Sequence, residues 1–154
     1  MKQILHMFNS LLPQAVQWAE SQEDHILKNG IPLSEQEISD AKLVGVANPD
    51  KIRVLRVDRI PIPKDPILKQ AAEITGLISP DTAGMALRYG IFVRTDYWRD
   101  RNLIAHEFVH ISQYEKLGGF REFLERYLRE CIEIGYHEAP MEQEAIEGAK
   151  KIYG

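Results

Sequence analysis

A single cysteine, Cys131, in a chain of 154 residues leaves no partner for an internal disulfide. That excludes a disulfide-stapled scaffold and favours a reducing, cytoplasmic setting. No apolar run approaches the ~20 residues needed to span a bilayer, so no membrane insertion is expected. Nor does the stretch at the start of this sequence read as a secretory signal. The amino terminus, MKQILHMFNSLLPQAVQWAESQEDHILKNG, has its first apolar stretch interrupted by His6, Asn9 and Ser10 and no small-residue cleavage site, so it reads as an amphipathic helix. Nor is there an excess of positive charge: the formal net charge is -4 with Lys and Arg scattered along the chain, which gives a nucleic acid no electrostatic footprint. The one locally basic stretch, RYGIFVRTDYWRDR, reads as a solvated strand edge and helix entrance. Repeats and low-complexity tracts are absent, and the proline-rich breaks are too short for interdomain linkers.

What is present is enough apolar sequence, 44% against 27% charged residues, to build one core. The reading is a single domain over 1–154, with a helical and strand part at 1–80 and a sheet edge, a motif-bearing helix and a last helix at 81–154. From Lys2 to about Lys28 the residues Ile4, Leu5, Phe8, Leu11, Leu12, Val16 and Ala19 recur at helical spacing, with Pro13 as a kink or break. SEQE at Ser34 has the capping-box spacing and opens a helix to about Val46. KIRVLRVDRIPIP is β-branched and stopped by prolines, hence a strand. DPILKQAAEITGL is a helix with Asp65 as N-cap, Pro66 at its first position and Gly76 at its end. AGMALRYGIFVRT reads as a hairpin turning through Tyr89-Gly90. From about Asp100 the chain is helical, apart from breaks near Gly118–Gly119 and Gly135–Pro140. Helices, a small and mainly antiparallel sheet, then helices again make an α+β domain.

Chemistry concentrates in NLIAHEFVHISQY, Asn102–Tyr114. On a helix, residues i and i+4 share a face, so His106 and His110 can aim their imidazoles at one point. Two such nitrogens suit Zn²⁺. Glu107 stands about a hundred degrees round the helix from His106, too far displaced for a ligand but placed to reach a metal-bound water as general base. The helix is apolar nearly all round. In a core, two unpartnered histidines and a carboxylate are costly, and metal coordination removes much of that cost.

A catalytic zinc site needs a third protein ligand. Glu122, Glu125 and Glu130 alternate with arginines in FREFLERYLREC and read as a solvated, ion-paired face, with Cys131 a small buried residue. In PMEQEAIEGAKKIYG the apolar positions Met141, Ala145, Ile146, Ala149, Ile152 and Tyr153 define an inward face. Glu142 falls on that face, whereas Glu144 groups with Glu147, Lys150 and Lys151. Glu142 is the preferred third ligand, with first-turn capping as its plain alternative. Glu144 and His137 stay open.

HEFVH, followed some thirty residues later by EQEA on a second helix, resembles the gluzincin group of HExxH zinc metallopeptidases. The wider run from about Met85 to Gly154 is similar to small single-domain bacterial proteins of that type. The resemblance implies a minimal zincin-like domain and a zinc-dependent peptidase, with His106, His110 and Glu142 as metal ligands and Glu107 as the base acting on a zinc-activated water. A peptide or protein substrate would add along GIFVR as a sheet edge, with Tyr114, Tyr136 or His137 stabilising the oxyanion. Ala145 matches the small residue expected three positions after the glutamate. Ile146 departs from the Asp or Asn that supports a histidine ligand in many such enzymes, so that support has to come from elsewhere. Two rival functions are a catalytically silent zincin-like binding or regulatory module and a metal-free structural domain.

Overall fold

The computed structural model describes residues 2–153, with side chains described from 6 to 152; the inward positions expected for Ile4, Leu5 and Tyr153 lie outside the described side chains. Helix α1 runs Lys2–Asn29 without a break at Pro13. Pro13 is exposed while Leu11 and Leu12 beside it are buried. The backbone hydrogen bond that proline removes therefore falls on the solvent side, and packing of the opposite face carries the helix through. Helix α2, Glu35–Leu43, starts with both halves of its capping box formed: Glu37 N–H donates to Ser34 Oγ, and Ser34 N–H to Glu37 Oε1. Helix α3, Pro66–Thr75, is capped by Asp65 and ends on Gly76 in the left-handed region.

Four strands form one sheet: β1 Ile31–Pro32, β2 Arg53–Val57, β3 Gly84–Leu87 and β4 Gly90–Arg94, in the order β1-β2-β4-β3. The outer pairings are antiparallel and the central pairing, β2 with β4, is parallel. The α+β class holds, with a mixed sheet and a short first strand that the sequence patterns do not mark. One expectation is overturned. GIFVR is β4, an interior strand, and the edge nearest the last helices is β3. The reason is burial on both faces: Ile91 and Val93 enter one apolar cluster with Val54, Ile104 and Phe108, while Phe92 enters another with Ala19, Leu87 and Phe123. A run of consecutive buried apolar residues marks a covered strand. The hairpin turn is Arg88–Tyr89, one residue earlier than the glycine implies. Arg88 adopts φ 56°, and buried Glu23 of α1 holds the turn by accepting from Arg88 Nε and Nη2 and from Tyr89 N–H.

Three helices complete the fold: α4 Arg101–Leu117, α5 Phe120–Glu133 and α6 Pro140–Tyr153. The arginines of the basic stretch are ion-paired, Arg94 with Asp96 and Arg101 with the α2 residue Asp40. The α4–α6 contact is the most extensive between elements. It is close because a Cβ at Gly148 would lie 2.8 Å from Val109 Cγ2. Among the described residues no helix is long and apolar enough to cross a membrane.

Candidate metal centre

His106, Glu107 and His110 project from α4, and Glu142 from the first turn of α6. Asp100 caps α4 through Leu103 N–H, which fixes where the helix begins. The start of α6 is held from α5, where Glu130 Oε1 accepts from Met141 N–H at 2.8 Å. Glu130 is therefore a cross-helix cap rather than only a member of a solvated ion-paired face, although Arg126 does reach its other oxygen.

These supports bring three side chains together. Glu142 Oε1 lies 2.6 Å from His106 Nε2 and Glu142 Oε2 lies 3.1 Å from His110 Nε2. All three groups offer ligand atoms within 4.8 Å of one another. Tetrahedral zinc with bonds of about 2.0–2.2 Å sets neighbouring ligand atoms about 3.3 Å apart. The Glu142–His106 contact is thus roughly 0.7 Å shorter than a shared ion would set it. The donor set, two imidazoles and a carboxylate, fits zinc. Glu144 is exposed and turned elsewhere, accepting from Gln113 Nε2 at 3.0 Å.

The support absent at Ile146, which lies at the surface, is met from α4 itself. His110 Nδ1 lies 2.8 Å from Gln113 Oε1, and Gln113 Nε2 donates to Met141 O and to Glu144. Two acceptors on one side of the amide fix its orientation, so the oxygen must face His110. His110 then keeps its proton on Nδ1, and loss of the Nε2 proton that faces Glu142 would leave that lone pair for a metal. The sequence offers little warning of this residue beyond its place one helical turn after His110.

Tyr127 was also hidden, among the apolar positions of α5. Its hydroxyl donates to Glu142 Oε2 at 2.7 Å. A buried tyrosine needs a partner for its hydroxyl, which is the signal that would have singled it out. Of the three residues considered for an oxyanion, Tyr136 lies on the cavity wall with its hydroxyl 3.5 Å from Glu142 Oε1. Tyr114 is buried and donates to Ala86 O. His137 is exposed and outside the cavity lining. Cys131 is buried, and burial pushes its thiol up to about 12.

Electrostatics set the groups apart. Burial works to raise the Glu142 carboxyl, but hydrogen bonds from His106 and His110 hold it well below the usual carboxylate range. Burial lowers the His110 imidazole, and the hydrogen bond and charge of Glu142 overcome that and push it up to about 9. Glu107 moves the other way from Glu142. Burial pushes it above its ordinary value, opposed by the charges of both histidines. Two carboxylates at one site thus differ in basicity, the pattern that separates a ligand from a proton carrier.

His106, Glu107, His110 and Glu142 all line one cavity of about 190 Å³ between α1, α3, β3 and α5. Gly84 keeps the approach to Glu107 open, since a Cβ there would lie 3.3 Å from Glu107 Oε2.

No protein-family model, curated protein or solved structure matches this chain. Function is therefore argued from the site itself.

Proposed function

We propose that the protein is a zinc-dependent hydrolase of peptide or related amide bonds, with His106, His110 and Glu142 holding the metal and Glu107 acting as general base. The observation that carries this reading is the convergence of both Nε2 atoms on one carboxylate at a cavity wall that also holds Glu107. Zinc bound there would polarise the scissile carbonyl and acidify water at the site. The chain's own residues account for the proton. Glu107, made more basic by burial, takes a proton from the attacking water and delivers it to the departing nitrogen as the C–N bond breaks. Gly84, across from Glu107, leaves room for substrate at Oε2. Tyr127 and Tyr136 are both held above the usual phenol range, by burial and then by the charge of Glu142. They stay protonated donors, Tyr127 positioning Glu142 and Tyr136 facing the developing oxyanion.

A peptide-library digest with wild type and Glu107→Gln tests the assignment. Wild type should cleave, and Glu107→Gln should keep its zinc while losing at least about 10²-fold in rate. An active Glu107→Gln protein would remove the base, and silence of zinc-loaded wild type across varied substrates would favour a binding module.

A further inference from the structure

The walls of the cavity away from the four site residues carry no charge. Its remaining lining includes Leu11, Ala15 and Trp18 of α1, Ala71 and Ala72 of α3 and Leu128 of α5, and among the described residues Glu107 and Glu142 are the only acidic ones in it, with no lysine or arginine. Of the hydroxyls that reach the lining, Tyr136 stands at the metal end beside Glu142 and the other three are already engaged. Thr75 donates to Ala71 O, Tyr114 to Ala86 O, and Tyr127 to Glu142. Among the described residues, a ligand in this space meets charged partners only at the metal end.

The edge that an extended peptide would use is also engaged. β3 is the edge strand beside α4, and its Ala86 carbonyl accepts from the Tyr114 hydroxyl. Strand addition depends on a row of free backbone groups, and the Ala86 carbonyl in the middle of this short edge is already taken.

Size points the same way. About 190 Å³ is an order of magnitude beyond the ~10–15 Å³ that holds one water, and an apolar cavity favours apolar ligands over ordered water. The wall supplied by α1 extends from Met7 to Ala19, about 18 Å of helix at 1.5 Å per residue. Met7 and Ile74, also in the lining, are 43% and 61% exposed.

We infer that the substrate is an amphiphilic amide: a scissile amide at the His106–His110–Glu142 site, with an extended aliphatic chain on one side of it lying between α1 and α3. This rests on the reading of the site as a zinc-dependent hydrolase. The reaction balances as addition of water across the C–N bond, with the oxygen going to the acyl carbon and the proton, through Glu107, to the amine.

Calorimetric titration of acetohydroxamate, hexanohydroxamate and decanohydroxamate into zinc-free and zinc-loaded protein, below their aggregation concentrations, separates the two claims. Affinity should rise with chain length in both forms, by roughly fourfold per buried methylene (~0.8 kcal/mol). Zinc should add a further constant gain. Chain dependence without a zinc gain supports the channel and sinks the metal reading; a zinc gain without chain dependence keeps the metal reading and overturns this inference. Ala71→Phe plugs the channel from α3, and Ala15→Phe does so from α1 if the first variant fails to fold. Either should cut decanohydroxamate affinity at least tenfold while leaving acetohydroxamate binding and zinc content unchanged. Unaltered chain dependence in a folded plugged variant would overturn the proposal.

Discussion

Gln113 and His110 are joined by a hydrogen bond of 2.8 Å between Oε1 and Nδ1, and the Gln113 amide cannot turn over because Met141 O and Glu144 both accept from its nitrogen. An amide on the ligand's own helix thus sets the imidazole tautomer.

Gln113→Leu keeps the volume and removes the acceptor, so zinc affinity should fall by about 10–100-fold with the fold intact. Gln113→Glu, which retains an oxygen toward Nδ1 but sets another against Met141 O and Glu144, should recover only part of it. Competition with a chromophoric chelator measures both. An unchanged zinc Kd in Gln113→Leu would show that the bond does not position the ligand.

The close passage of α6 over α4 has its own signature. Alanine at Gly148 gains about 1 kcal/mol of helix propensity, but its Cβ would sit 2.8 Å from Val109 Cγ2 and overpacking costs about 1–3 kcal/mol. Gly148→Ala should therefore destabilise by up to about 2 kcal/mol in urea denaturation. In a Val109→Ala background the same change should become neutral or stabilising. A stabilising Gly148→Ala in the wild-type background would contradict the packing described here.

Zinc-free protein should lose stability as pH rises. His110, lifted to about 9 from an ordinary 6.5, binds its proton more tightly when folded than when unfolded. Its contribution is complete below about pH 6.5 and is lost as pH climbs through about 9. Glu107, raised by burial, has the same sign, and Glu142 stays ionised throughout. Thermal unfolding in a chelator should show Tm falling across that window. Adding zinc should offset the fall, because the metal replaces the proton on His110. A Tm that rises with pH in the chelator would contradict the arrangement.

Local signals in the sequence located most elements. The capping box at Ser34, the Asp65-Pro66 start and Gly76 end of α3, and the inward placement of Glu142 all follow from side-chain chemistry or helical period, and each has its counterpart in the structure. Relationships between distant segments were not legible. β4 became an interior strand because β2, far away in sequence, pairs with it in parallel. Glu130 caps another helix, Tyr127 meets Glu142 from an apolar face, and Gln113 is sandwiched between His110 and α6. The helix does not break at Pro13 because the cost of a helical proline depends on which side of the helix faces solvent. Ile146, grouped by period with the inward residues, is 36% exposed because it sits at the margin of that face.

The zinc content of protein purified without added metal, measured by elemental analysis for wild type, Glu142→Gln and Glu144→Gln, tests the central claim most directly. One zinc per chain in wild type and in Glu144→Gln, with loss from Glu142→Gln, is the predicted result. Zinc absent from wild type even after incubation with the metal, or retained in full by Glu142→Gln, would contradict it.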